Sequence, residues 1–325
     1  MNQPSHPGVA VIMPVLNEEQ HLAESVAAIT AQDYPGEVQI ALALGPSTDK
    51  TDEVAAALQA QDPRIVLVPN PTGKTPAALN AALAATSHPI VVRVDGHALL
   101  PPDYISTAVA TLERTGADNV GGVMAAQGTT DFERAVACAM RSPLGVGAAS
   151  FHTGGQEGEA LTVYLGAFRR EAIERVGGYD EAYVRAQDWE MNHRIRESGG
   201  LIWFTPDMEV TYRPRASVKA LARQYFQYGT WRREIVRQHA TVNLRYLAPP
   251  AAVLAVAGGL ALAAVTKRRI GLVPAAAYLA GITVGGLAIS GHEQPAVRAR
   301  VPIVLATMHM SWGTGFLLSP KNLRQ

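Results

Sequence analysis

Between residues 9 and 120 short apolar runs alternate with segments of helical periodicity, which limits the chain to an α/β architecture on a mainly parallel sheet. Strands are expected over residues 9–13, 38–44, 65–68 and 89–94, and helices over 17–32, 52–60 and 76–85. Open sheets of this kind bind ligands at the carboxyl ends of their strands. There the chain carries Asn17 and Glu18 after the first strand, Ser47 and Asp49 after the second, Gly73 and Lys74 after the third, and Asp95, Gly96 and His97 after the fourth. Asp95 and His97 stand two apart in an extended segment, so both side chains face one way and can reach one divalent cation. Taken singly, Asp95-Gly96 is also an ordinary turn, and Asn17 and Ser47 also suit helix caps. Capping does not explain why all these groups fall on one sheet edge. Gly73-Lys74 lacks the spacing of a P-loop.

Composition bounds the rest. In 325 residues Lys plus Arg number 28, as do Asp plus Glu, so no nucleic-acid partner is expected. Cys138 stands alone, which excludes an intramolecular disulfide or a multi-cysteine zinc site; its setting reads as the packed interior of a helix over 132–140. The polar residues 1–8 and the short apolar run after them read as a leading strand and not a signal peptide. Residues 247–266, 270–291 and 301–320 are free of Asp, Glu, Lys and Arg and have the length of a bilayer core, a buried helical domain being the alternative. Before them, Leu221, Tyr225, Tyr228, Ile235 and Val236 fall near helical spacing. Lys219, Arg223, Arg232, Arg233, Arg237 and Arg245 lie around them, offset only by Glu234. That reads as an amphipathic helix on an anionic membrane surface, or else as a solvated basic face. The expected division is 1–212, 213–246 and 247–325, the last with up to three apolar helices.

Within the first division, residues 142–158 hold five glycines and read as a flexible segment over a site. Asp188 falls in the first turn of a later helix, where the dipole favours its carboxylate, and Trp189 beside it can shape an acceptor pocket. A plain helix cap is the simpler reading of such an acid.

Seven segments, in order, carry a resemblance: Pro14-Val-Leu-Asn17-Glu18, Ser47-Thr-Asp49, Gly73-Lys74 with Asn80, Arg93-Val-Asp95-Gly-His97, Gly166-Ala-Phe-Arg-Arg170, Gly177-Gly-Tyr-Asp180 and Gln187-Asp188-Trp-Glu190. Over residues 8–240 the chain resembles the inverting family 2 glycosyltransferases of GT-A fold, and among them the bacterial membrane-associated enzymes of succinoglycan-type exopolysaccharide assembly. The resemblance implies a GT-A nucleotide-sugar-binding domain, then a basic interfacial helix and C-terminal transmembrane helices. It implies that Pro14, Asn17, Glu18 and Asp49 surround the base and ribose of a nucleotide-sugar, with Lys74 and Arg93 near base and phosphates. Asp95 opens the family's Asp-x-Asp motif, which holds Mn²⁺ or Mg²⁺ on the donor diphosphate, with His97 in the second acid's place. Asp188 matches the catalytic base, and Gln187, Trp189, Trp231 and Arg232 fall on the acceptor side.

Three departures matter. His97 is a borderline nitrogen ligand that suits Mn²⁺ better than Mg²⁺. Leu44-Gly45-Pro46 replaces an acidic pair tied to uracil recognition. Gln187 removes a like charge from beside Asp188. Gln227-Tyr-Gly-Thr-Trp231-Arg232 has the residue types of the processive Gln-x-x-Arg-Trp motif but not its order, which implies single additions. The expected function is transfer of one sugar, from a UDP-sugar in the first instance, to a lipid-linked polyprenyl acceptor at the cytoplasmic membrane. The catalytic domain is expected in the cytoplasm, with homo-oligomers allowed for. A polyprenyl-phosphate sugar synthase and a non-catalytic membrane scaffold are the alternatives. With three spans Lys267-Arg268-Arg269 would lie outside, against the positive-inside tendency, unless the first two segments are re-entrant or the basic flank outweighs that loop.

Overall fold

A computed structural model describes residues 6–147, 149–240 and 243–324. In chain order its elements are β1 Val9–Val15, α1 Leu22–Thr30, β2 Val38–Leu44, α2 Thr51–Gln61, β3 Ile65–Pro69, α3 Thr75–Ala84, β4 Ile90–Arg93, α4 Tyr104–Thr115, β5 Asn119–Ala126, α5 Asp131–Met140, α6 Pro143–Val146 and α7 Ser150–Thr153. There follow β6 Gly158–Glu159, β7 Ala167–Arg169, α8 Arg170–Arg175, α9 Gln187–Glu197, β8 Ile202–Tyr212, α10 Val218–His239, α11 Ala248–Thr266, α12 Val273–Ile289 and α13 Pro295–Leu317. They cluster in two compact units, one ending at Met124 and resuming over Gly154–Tyr212, the other holding Ala125–Thr153 and the chain from Arg213 onward.

The first unit is built on an eight-stranded sheet ordered β3-β2-β1-β4-β7-β5-β8-β6. β1 pairs in parallel with β2 and β4, and β2 with β3, while β7 runs antiparallel to β4 and β5. Val9, Ala10, Val11, Ile12 and Met13 are all fully buried, so β1 reads as an unbroken apolar run, as a strand covered on both faces must. The register sets Ile12 opposite Arg93 and Val15 opposite Leu44, which brings the strand ends to one edge. The expected strands all form. The first helix begins five residues later than its periodicity suggested, because Asn17 takes a left-handed backbone (φ 56°) and leads the chain across the sheet edge before α1 can start.

In the second unit α10 packs along α13, and α5, α11 and α12 also pack on α13. Close approach depends on glycine: a Cβ on Gly229 would overlap the Trp312 carbonyl oxygen, and one on Gly315 the Phe226 carbonyl oxygen. The basic helix also serves packing within its unit. Its apolar side, with Leu221, Tyr225, Trp231 and Ile235 buried, is covered by α13, whereas Tyr228 is 41% exposed and lies off that side. The glycine-rich segment 142–158 is not one continuous loop, since Ser142 caps α6 by accepting from the Leu144 N–H at 3.1 Å and α7 follows.

Among the described residues two helical stretches, Ala248–Thr266 and Arg269–Ile289, are long and apolar enough to cross a membrane. The third expected stretch lies in α13, which begins earlier, carries Arg298 and Arg300, and buries Val297, Val301, Val304, Leu305 and Met308. It is a packing helix because Gly313 and Gly315 let neighbouring backbones touch it. Gly229→Ala is expected to destabilise the protein by about 1–3 kcal/mol, as overpacking at a backbone contact does. Gly258→Ala, where a Cβ meets open space, should be neutral or stabilising in the same thermal melts in detergent.

Candidate active site

The loops after β1, β2 and β3 are tied to one another through backbone and short polar side chains. Gly45 N–H donates to the Val15 carbonyl and Asn70 N–H to the Leu44 carbonyl, each at 2.8 Å. Asn17 N–H donates to Ser47 Oγ at 3.1 Å, and its own Oδ1 accepts from Thr48 N–H at 2.8 Å. Neither residue caps a helix, as α1 and α2 start without a side-chain cap. Glu18 N–H donates to Thr51 Oγ1 at 2.7 Å, and Asp49 accepts from both the backbone and hydroxyl of Thr51. The Thr51 hydroxyl bond holds the Asp49 carboxyl below the usual carboxylate range. Asn17, Glu18 and Asp49 thus share one braced edge, with Pro14 half-buried just inside it on β1. Lys74 stands exposed at the start of α3, after Gly73 (φ 64°), whose Cα approaches the Gly45 position.

At the end of β4 the geometry was not evident from spacing. His97 Nδ1 lies 2.7 Å from Glu18 Oε1. Gly96 makes room for this, since a Cβ there would press on Glu18 Cγ at 3.0 Å. Arg93, only 4% exposed, turns its guanidinium onto two acids: Nη2 donates to Asp95 Oδ1 at 3.0 Å and Nη1 forms an ion pair with Asp188. Burial works against the charge of Arg93, but Asp95 and the nearby Tyr179 and Tyr164 more than offset it and hold the guanidinium firmly protonated. Burial likewise works to raise the Asp95 carboxyl, and Arg93, His97 and Arg185 together keep it below the usual carboxylate range. Tyr179 is buried beside them, its phenol pushed up to about 12 chiefly by desolvation.

Asp188 is where the helix reading put it, in the first turn of α9. Ala186 precedes it in a left-handed conformation (φ 61°) that turns the chain into the helix. A buried amide chain fixes α9: Asn119 Nδ2 donates to Asn192 Oδ1 at 2.6 Å and Asn192 Nδ2 to Thr162 Oγ1 at 2.9 Å. Asn80 holds the preceding loop by exchanging bonds of 2.8 and 2.9 Å with the Tyr179 backbone. Gln187 is half-buried. Trp189 is buried and stacks on His193 with ring centroids 5.0 Å apart, which gives it a packing partner one turn along. Trp231 and Arg232 belong to the second unit, where Trp231 is buried and the Arg232 guanidinium lies 4.6 Å over the Tyr246 ring. Sequence reasoning missed the Glu18–His97 pair and the double use of Arg93; the signal for the first was the glycine between Asp95 and His97.

One arginine thus bridges a strand-end acid and a helix-start carboxylate, and two residues beyond that strand-end acid stands a histidine braced by another acid. Residues 10–177 match the family described as Glycosyl transferase family 2. The chain belongs to that family. This glycosyltransferase is 31% identical to the succinoglycan biosynthesis protein ExoA of Rhizobium meliloti (strain 1021) over 309 residues, 94% of this chain and 93% of that protein. It is 25% identical over 250 residues, 74% of this chain and 77% of the other, to a dolichyl N-acetyl-α-D-glucosaminyl phosphate 3-β-D-2,3-diacetamido-2,3-dideoxy-β-D-glucuronosyltransferase of Methanococcus voltae. Among solved structures, the mannosyltransferase PcManGT from Pyrobaculum calidifontis in complex with GDP-Man and Mn²⁺ superposes with a TM-score of 0.61 at 22% identity, covering 98% of this chain and 91% of that one. S. aureus TarS 1-349 in complex with UDP gives 0.51 at 14% identity, covering 95% and 90%. The expected GT-A-like sheet is thus the one this glycosyltransferase has.

Proposed function

We propose that this family 2 glycosyltransferase moves one sugar from a nucleotide-sugar, a UDP-sugar in our reading, to a lipid-linked saccharide at the cytoplasmic face of the membrane, with inversion and with a divalent cation. The observation that carries the reading is the bridging of Asp95 and Asp188 by Arg93, with His97, two residues after Asp95, braced by Glu18.

The donor set fits a divalent cation. Glu18 braces His97 through Nδ1, the carboxylate–histidine arrangement usual for metal-binding histidines. Asp95 and His97 would hold the ion, which when bound neutralises charge on the departing diphosphate. The protein's own groups do the rest. Asn17, Glu18 and Asp49 offer a pre-tied edge for base and ribose, with Lys74 reaching the phosphates. Asp188 accepts the proton of the acceptor hydroxyl as that oxygen bonds to the anomeric carbon and the bond from that carbon to the diphosphate oxygen breaks. One displacement inverts the configuration. Arg93 holds Asp95 and Asp188 at a set separation, which orients donor and acceptor groups relative to each other.

Membrane residence is supported by the apolar helices of the second unit, on which Leu254, Ile270, Val284 and the 83%-exposed Val265 lack protein cover. A saccharide acceptor is preferred to a bare lipid phosphate because the cations nearest Asp188 in the chain, Arg185 and Arg194, are few, and Arg194 is held by Glu190 at 2.6 Å and by the Val176 carbonyl at 2.5 Å. The name of the archaeal relative, which specifies a lipid-linked sugar, points the same way.

A panel of UDP- and GDP-sugars in thermal-shift measurements with and without Mn²⁺ tests this, since a ligand of the folded state raises its melting temperature. Stabilisation by one nucleotide class only with metal is the expected result. Transfer should vanish on chelation and return more fully with Mn²⁺ than with Mg²⁺, because a nitrogen ligand disfavours the harder ion. Equal activity in excess chelator removes the metal from the proposal.

A further inference from the structure

The second unit holds a cavity of ≈ 540 Å³ that the transfer chemistry does not use, lined in part by Cys138, His292, Glu293, Arg134 and Arg141. We propose that Cys138, His292 and Glu293 form a site for a borderline divalent cation of the zinc class. Cys138 Sγ and His292 Nε2 each lie 3.8 Å from Glu293 Oε1, and the three ligand atoms fall within 4.8 Å of one another. Around a tetrahedral zinc, with bonds of roughly 2.0–2.3 Å, neighbouring ligand atoms are on the order of 3.3–3.8 Å apart. The two pairs that include Glu293 Oε1 already match that spacing, and the Cys138–His292 pair, within 4.8 Å, would close on the ion by at most about 1 Å, a movement open to the exposed His292 side chain. The set joins one thiol, one imidazole and one carboxylate, a combination that suits zinc or cobalt and not the oxygen-seeking magnesium or calcium.

The surroundings are arranged for the same end. Glu293 uses its other oxygen, Oε2, to accept from Arg134 Nη2 at 2.5 Å, which orients Oε1 toward Cys138 and His292 as an outer partner orients a metal ligand. The second arginine in the lining, Arg141, donates from Nη2 to the Ala126 carbonyl at 2.5 Å, so both cations already serve protein acceptors. Cys138 is buried on α5, while His292 and Glu293 stand in the turn between α12 and α13. A bound ion would tie α5 to that turn, and the cavity leaves space for water as a fourth ligand. Binding takes the thiol proton away to solvent and puts the cation where the thiol now points at Glu293.

Cys138 is the sole cysteine of the chain, so a sulfur signal reports on this site alone; Asp95 and His97 contain none. The test is titration of the full-length protein, in detergent and reductant, with Co²⁺. The expected result is a thiolate-to-cobalt charge-transfer band that saturates at one equivalent and disappears on adding equimolar Zn²⁺. Cys138→Ser should lack it. His292, 72% exposed, can be changed without threatening the fold; His292→Ala should weaken Co²⁺ binding at least tenfold, and Arg134→Lys by about 10–100-fold through the lost orientation of Glu293. Absence of the band in the wild type, or unchanged affinity in both His292→Ala and Glu293→Gln, overturns the site.

Discussion

Asp188→Asn is expected to lower kcat by about 10²–10⁴-fold while leaving nucleotide-sugar binding nearly intact, the loss typical of removing a general base. The amide keeps the shape of the carboxylate but cannot take the acceptor proton. The other parts of the site do not depend on it: Asp95 and His97 are positioned by β4 and Glu18, and the base-side loops by their own hydrogen bonds. Arg93 retains Asp95 as a partner, so the variant should fold. Donor-induced thermal shift with Mn²⁺ should therefore match the wild type while transfer to a lipid-linked acceptor collapses. A variant that keeps activity within a few-fold would remove Asp188 as the base; one that loses the donor shift as well would make its role structural.

Arg93→Met is expected to cost about 3 kcal/mol of stability, the low end for breaking a buried ion group by removing one partner. Asp95 and Asp188 would be left facing each other without their shared cation; that both side chains retain partial exposure, 23% and 26%, keeps the penalty from being larger. Methionine fills a similar volume, so the effect reports charge and hydrogen bonding more than a cavity. Arg93→Lys should recover only part of it, because one ammonium cannot span two carboxylates as a guanidinium fork does. In denaturant melts the double variant Arg93→Met with Asp188→Asn should be less destabilised than the sum of the singles, since the second change removes one stranded charge. Strict additivity would show that the Arg93–Asp188 pair contributes nothing.

The strands, their order of appearance and the edge on which Asn17, Glu18, Asp49, Lys74 and Asp95 gather could be read from the sequence, because a buried parallel strand needs a continuous apolar run and such sheets expose their polar groups where the runs stop. Asp188 at the head of α9 was legible for the same local reason, an acid opening a periodic segment. Local pattern failed where a side chain's partner is distant in the chain. The basic helix carried the composition of a membrane-surface element, and its pattern gave no sign that α13 would cover the side holding Leu221, Tyr225, Trp231 and Ile235 through contacts that Gly229 and Gly315 permit. The third apolar stretch misled for the converse reason: its hydropathy serves packing.

At the end of β4 the two contributions separate cleanly. The sequence alone determined that an acid, a glycine and a histidine would close a buried strand at the ligand edge, because the period of two and the apolar run leave no other placement. Tertiary structure decided how they are used. It set Glu18, 79 residues before His97, against the ring, and it turned Arg93 inward to bridge Asp95 and Asp188. A buried charge takes whichever opposite charge the fold brings within reach, and that choice depends on how loops meet in space.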